Sequence, residues 1–279
     1  MAQIINGKEV AMNVRKSLKT EVDLLRANGI IPKFAVIMVG DNSASKIYIK
    51  NKTNACNELG IECEEYILSE TTNMEELLDL INSLNKRNEI SGILLQSPIP
   101  KHLDIDKAFK AISPSKDVDG FNPENVGKLC LNQDCFISCT PNGVMKLLEE
   151  YKIDIEGKNA VVIGRSNIVG KPMLQCLLNK NATVTICHSK TKNLTEITKK
   201  ADILVAAIGK PNFVTKDMVK EDAVVIDVGI NRMEDGSICG DVDFKNVSDV
   251  CSYITPVPGG VGPMTVAMLM SNIVKAVKN

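Results

Sequence analysis

Lys52 follows Tyr48 by four residues in Ser43-Ala-Ser-Lys-Ile-Tyr-Ile-Lys-Asn-Lys-Thr-Asn-Ala-Cys-Asn-Glu-Leu59, a stretch that lies between Gly40-Asp41-Asn42 and Gly60. A Ser at its start is a cap candidate and Gly60 a stop signal, so the stretch reads as a helix. At about 100° per residue, Ala44, Tyr48, Lys52, Ala55, Cys56 and Leu59 share one sector, which is expected to be the packed face. Lys52 must then snorkel outward, pair with an acid, or accept a lowered pKa through desolvation. The last outcome yields a proton-transfer group usable near neutral pH. Gln96 ends the short apolar run Gly92-Ile-Leu-Leu95, which Pro98 and Pro100 terminate at once. It therefore sits at the carboxyl end of a strand, where open α/β sheets hold ligands. In Lys116-Asp-Val-Asp-Gly-Phe121, Asp117 and Asp119 could chelate a divalent ion, hydrogen-bond a ligand, or form an ordinary Asp-Gly turn.

A glycine loop points to nucleotide chemistry. Gly164-Arg-Ser-Asn-Ile-Val-Gly170 stands where a dinucleotide fingerprint would, as Gly-x-Ser-x-x-x-Gly, with Ser166 at the position where backbone usually meets pyrophosphate. The next strand ends Cys187-His-Ser-Lys-Thr191, with no acid to hold a ribose hydroxyl. A carboxylate there would repel a ribose phosphate, whereas Ser189 together with Arg165 can hold one, so the pattern favours NADP over NAD. His102 and His188 lack a helper acid at recognisable spacing, and no local base supports Cys139 as a nucleophile. All three read as loop or packing residues.

The elements that must position these groups alternate for nearly the whole length. Val10, Val14, Leu18, Val22 and Leu25 give an amphipathic helix ending near Gly29, and Phe34–Val39 a buried strand. The Tyr48 helix, a helix around Met74–Leu84 and the Gly92 strand follow. Residues 113 to 143, rich in Pro, Asp, Asn and Gly, read as a domain junction. Beyond it, strands at Asn159–Ile163, Ala182–Cys187, Ile203–Ala207 and Ala223–Asp227 form a doubly wound pattern, and a last helix runs from Met264 to Lys278. The fold class is α/β with parallel sheets in two domains.

Composition narrows the function. At 279 residues and net charge −1, with Lys and Arg scattered, the chain lacks the basic stripe of a nucleic-acid surface. No apolar run approaches the roughly 18 residues needed to span a bilayer, and the N-terminus lacks a signal pattern. A cytoplasmic protein without membrane attachment is expected. Nine Cys without a Cys-x-x-Cys pair suggest neither a disulfide framework nor a zinc site. No metal is expected.

Taken in order, Tyr48-x-x-x-Lys52, Gly92-Ile-Leu-Leu-Gln96, Lys116-Asp-Val-Asp-Gly-Phe121, Gly164-Arg-Ser-x-Ile-Val-Gly170 and Pro258-Gly-Gly-Val-Gly-Pro-Met-Thr265 closely resemble the bifunctional methylenetetrahydrofolate dehydrogenase/cyclohydrolase family. The resemblance spans essentially the whole chain. It implies two α/β domains with a cleft between them: a folate-binding catalytic domain of residues 1–139, joined by the C-terminal helix 264–279, and a Rossmann-like NADP domain of residues 140–263. It further implies NADP-dependent oxidation of 5,10-methylenetetrahydrofolate, hydrolysis of the methenyl product to 10-formyltetrahydrofolate, and a homodimer. On this likeness Lys52 is the proton-transfer group, Tyr48 packs on the aminobenzoyl ring, Gln96 bonds the lysine, and Asp119 holds the pterin. Pro258, Gly259, Gly260 and Thr265 line the folate wall, while Gly164, Arg165, Ser166, Ser189 and Ile230 contact NADP. Two residues depart from the family pattern: Ser97 stands where leucine is common, expected to make the folate wall more polar, and Ser138 where proline is common, expected to loosen the junction. Ser97 leaves a monofunctional NADP-dependent dehydrogenase as the alternative, and a nucleotide-sensing module without turnover is a third.

Overall fold

The computed structural model describes residues 2–278, which form two compact units. Of the described residues, one comprises those up to Met12 with Ser138–Thr265, the other Asn13–Ile137 with those from Val266 on. In chain order, β1 (Gln3–Ile4) and α1 (Gly7–Ala27) precede β2 (Lys33–Val39), α2 (Ser43–Leu59), β3 (Glu62–Leu68), α3 (Met74–Lys86) and β4 (Gly92–Leu95). Three helices come next, α4 (Ile105–Ala111), α5 (Pro123–Cys130) and α6 (Cys139–Glu150). Then follow β5 (Asn159–Ile163), α7 (Gly170–Leu178), β6 (Thr183–Cys187), α8 (Leu194–Thr198), β7 (Ile203–Ala206) and β8 (Val224–Asp227). The chain closes with β9 (Asn231–Arg232), β10 (Ile238–Cys239), α9 (Phe244–Val247), β11 (Tyr253–Ile254) and α10 (Val261–Lys278).

The smaller sheet is parallel, in the order β3-β2-β4. Every residue of β2 after Lys33 is buried, as a strand covered on both faces requires. Ala35, Ile37 and Val39 pack with Ile93 and Leu95 against Leu77, Ile81 and Leu84 of α3. Behind β2, α2 starts where Asn42, not a Ser, caps it: the Asn42 side chain accepts from the Ser45 N–H at 3.0 Å. Gly60 closes α2 in the left-handed region, φ 81°.

The six-stranded sheet runs β1-β11-β8-β7-β5-β6, parallel throughout. From β5 the chain moves outward to β6 and then back across to β7. The carboxyl ends of β5 and β7 thus flank the point where the winding reverses, the place at which doubly wound sheets bind ligands. Residues 2–12, expected in the first domain, fall instead in the six-stranded unit because Gln3 pairs with Tyr253 and Ile4 with Ile254. The junction stretch is also more ordered than its composition suggests, since it contains α5 and the start of α6.

Removing an N-cap acceptor costs about 1 kcal/mol. Asn42→Ala is therefore expected to lower the urea midpoint by an amount equivalent to about 1 kcal/mol, and an unchanged midpoint would show that the cap does not hold α2.

Candidate active site

The site begins with the first turns of α2. Ser45, Ile49, Ala55, Cys56 and Leu59 are buried, but Tyr48 is 50% exposed, contrary to its expected place on the packed face. At this level of the helix the covered side is that of Ser45 and Ile49. Ala44 and Tyr48 lie on a flank that is covered only farther along the helix, where Ala55 sits. Lys52, one turn past Tyr48, is half-buried at the transition. Its Nζ donates to Gln96 Oε1 at 2.9 Å. Gln96 is 8% exposed, its Nε2 donates to the Ser97 carbonyl at 2.6 Å, and its backbone N–H donates to Ile37. With the amide nitrogen engaged by Ser97, the amide oxygen is left to face the lysine. Among the described residues Lys52 forms no ion pair, so of its three options pairing with an acid is not taken. The amide oxygen thus fixes the position of the amine one turn from the open ring of Tyr48.

Asp119 is placed by its neighbours. Lys116 Nζ donates to the carbonyls of Leu84, Asn85 and Arg87, satisfying the carboxyl end of α3, and desolvation lowers its pKa. Asp117 is buried, accepts from Asn122 N at 2.7 Å and Asn125 Nδ2 at 3.0 Å, and burial raises its pKa. Ile93 N donates to the Lys116 carbonyl, laying the motif along β4, and Asn272 of α10 donates to the Val118 carbonyl at 2.8 Å. Of the two aspartates, Asp117 is thus a structural anchor and Asp119 is the half-buried one. Among the described residues no group of three or more His, Cys, Asp or Glu is placed to hold a metal ion.

In the six-stranded unit the glycine loop caps its own helix. Ser166 Oγ accepts from Val169 N at 3.1 Å and Gly170 N at 3.3 Å, which leaves its proton available to an incoming phosphate. A Cβ on Gly164, at φ 126°, would lie 2.2 Å from the Ala207 carbonyl oxygen, and one on Gly170 would lie 2.2 Å from that of Gly164. No other residue fits at either position. Arg165 and Ser189 are exposed, and the tip bearing Ser189 is drawn tight by Thr191, whose hydroxyl accepts from His188 N at 2.8 Å. Ile230 is 53% exposed after β8. An amino-terminal helix end, a tight loop with glycine required at both ends, and a β6 end without a carboxylate are the parts that NADP requires.

Two family models match, the tetrahydrofolate dehydrogenase/cyclohydrolase catalytic domain over residues 5–119 and its NAD(P)-binding domain over residues 138–279. The chain belongs to the tetrahydrofolate dehydrogenase/cyclohydrolase family. Among its family relatives, the bifunctional protein FolD of Campylobacter hominis is 56% identical over 99% of this chain and 98% of its own length. The crystal structure of the bifunctional enzyme FolD from Campylobacter jejuni superposes with a TM-score of 0.99 at 52% identity, covering 100% of this chain and 99% of that one. That of Trypanosoma brucei FolD, complexed with NADP cofactor and inhibitor, gives 0.94 at 36% identity over 99% and 97%.

The two family departures have these contacts. Ser97 is exposed and serves Gln96 through its carbonyl, which any residue would supply. Ser138 has a buried hydroxyl that donates to the Ile168 carbonyl in the glycine loop at 2.6 Å, a bond within the six-stranded unit. Within the three-stranded unit Lys52 and Gln96 are in direct contact, and Tyr48 lies one helical turn from the lysine. Pro258 is exposed, Gly259 and Thr265 are half-buried and Gly260 is buried, and they lie on the loop after β11 and at the start of α10. His102 and His188 make loop contacts only, to Thr72 and Lys190, and Cys139 is buried at the start of α6.

Sequence reasoning missed Asp227 and Asp241. Asp227, at the end of β8, receives the N–H groups of Gly229, Asp241 and Val242, and its own N–H donates to Thr255. Burial, opposed by those hydrogen bonds and reinforced by the Asp241 charge, pushes its pKa up to about 6. A carboxyl raised on folding is protonated more readily in the folded chain, so its contribution to stability is full below about pH 4 and lost as pH rises through about 6. Carbon NMR of Asp-labelled protein is expected to show one carboxyl titrating near pH 6 that Asp227→Asn removes; a spectrum with every Asp titrating below about pH 5 contradicts the assignment.

Proposed function

We propose that the protein oxidises 5,10-methylenetetrahydrofolate with NADP and hydrolyses the resulting 5,10-methenyltetrahydrofolate to 10-formyltetrahydrofolate. The contact that carries this reading is the 2.9 Å bond from Lys52 to Gln96 at the carboxyl end of β4. When bound, NADP supplies the oxidising equivalent for the first reaction. The chain's own groups perform the rest. In the hydrolytic half, water adds to the methenyl carbon and the bond from that carbon to N5 breaks, leaving the formyl group on N10. The added water must lose both its protons to become the formyl oxygen: N5 gains one and the other leaves to solvent. The Lys52 amine is the group we assign to carry the proton bound for N5, with Gln96 holding the amine in place. Tyr48, half-exposed one turn away, offers its ring to the aminobenzoyl face, and Asp119 accepts from the pterin. Pro258, Gly259, Gly260 and Thr265 are further proposed folate contacts. Gly164, Arg165, Ser166, Ser189 and Ile230 are proposed to hold NADP, with Arg165 and Ser189 on the ribose phosphate.

In a coupled spectroscopic assay, purified protein is expected to reduce NADP when given methylenetetrahydrofolate. Lys52→Met is expected to remove hydrolysis of methenyltetrahydrofolate above the spontaneous rate; a retained hydrolytic rate would falsify the role of the lysine.

We also propose a cytoplasmic homodimer. β3 is paired on one side only and leaves Ile67 60% exposed, an edge suited to a second copy. The nine cysteines form no disulfide among the described residues, as expected where thiols stay reduced. No described helix is long and apolar enough to cross a membrane. Sedimentation is expected to give twice the chain mass, in the soluble cytosolic fraction of the source cells; monomers at assay concentration or recovery elsewhere contradict these two points.

A further inference from the structure

Asp241 has no exposed surface and no part in the chemistry above, yet its carboxylate is among the most heavily bonded in the chain. Oδ2 accepts from the N–H groups of Ile208 at 2.7 Å and Gly209 at 3.0 Å, and Oδ1 from that of Lys210 at 2.7 Å and from Asn231 Nδ2 at 3.0 Å. Burying a carboxylate is costly unless its lone pairs are met, and here four donors meet them. Its backbone is fixed as well: Asp241 N and Val242 N donate to Asp227, and Val214 N donates to the Asp241 carbonyl. The fit is close, since a Cβ on Gly229 would lie 2.2 Å from Asp241 Oδ1.

The carboxylate holds two particular loops. Residues 207–210 follow β7, at the point where the winding of the sheet reverses, and the Ala207 carbonyl packs against Gly164. Residues 228–230 follow β8, pass against the carboxylate at Gly229, carry Ile230 and lead to Asn231, whose amide bonds it. The three consecutive N–H groups after β7 point at Asp241 and so are not available to bind a phosphate. What this loop can give a ligand is a shape.

We infer that Asp241 is a positioning residue for the oxidative half-reaction, a fixed internal anion that sets the loops after β7 and β8 into the surface on which the nicotinamide nucleotide rests. This rests on the reading that NADP occupies this edge of the sheet. Hydrolysis, which depends on Lys52 and Gln96 in the three-stranded unit, does not need these loops.

The test uses the full chain, with the NADP KM, the rate of methenyltetrahydrofolate hydrolysis without nucleotide, and the thermal midpoint measured for each variant. Asp241→Asn places an amide donor against the N–H groups and is expected to raise the NADP KM about tenfold or more, with hydrolysis within about twofold of the parent. Asn231→Ala, which removes one of the four bonds, is expected to raise it about threefold. An unchanged NADP KM in folded Asp241→Asn overturns the inference, as does a parallel fall of both activities with the midpoint, which marks a carboxylate that only stabilises. If Asp241→Asn does not fold, Asn231→Ala decides, and an unchanged KM there is equally fatal. Ser189→Ala separates the underlying reading: a normal KM in that variant with a raised one in Asp241→Asn removes Ser189 from the cofactor site and leaves the positioning role standing.

Discussion

Parallel pairing is the constraint on which both units depend. When all strands of a sheet point the same way, their carboxyl ends gather on one side, and every loop that leaves them starts from the same edge. In the three-stranded unit that edge brings Gln96, at the end of β4, under Lys52 of α2, which starts just beyond the end of β2. In the six-stranded unit it collects the glycine loop after β5, the tip after β6 and the loops after β7 and β8. Reactive side chains on elements far apart in the chain become neighbours because strand direction has already sorted them.

A recurring device in the molecule is the use of one charged or polar side chain to satisfy several backbone groups. Lys116 meets three carbonyls at the end of α3, Asp227 three N–H groups, and Asp241 three more together with an amide. Each bond is modest alone, but a buried ionisable group with all its partners in place allows few other loop conformations. The residues assigned to substrate and cofactor are, by contrast, exposed or half-buried in most cases. Their order comes from the buried groups behind them.

What could be read from the sequence follows from the range of the interactions involved. α1, α2, β2, β5, β7 and β8 announce themselves through local periodicity or a continuous apolar run, and the five motifs lie on or beside such elements. β3 was missed because Glu62-Cys-Glu-Glu-Tyr-Ile-Leu68 is an edge strand with three acids, which pair with Lys33 and Arg87 or bond Thr53 instead of forming an apolar pattern. β1 and β11 have two residues each, too few for any period. The tether from Asn272 to Val118 spans 154 positions, and Asp241 reaches back 33 to Ile208, distances over which local spacing carries no signal. Tyr48 shows the limit of the helical wheel, which assigns one buried sector to a helix whose covered side shifts along its length.

The pairing of β1 with β11 also bears on how such a protein can be divided. The stretch matched by the NAD(P)-binding family model, residues 138–279, looks like a portable module when read along the chain. Cut out in that way it would lose β1 and bare the outer edge of β11, while carrying along the described residues from Val266 on, which fold with the other unit. Inheritance by shuffling of contiguous gene segments therefore has no clean place to cut. A chain whose first dozen residues complete the sheet built by its second half is one that selection can alter residue by residue far more readily than piece by piece.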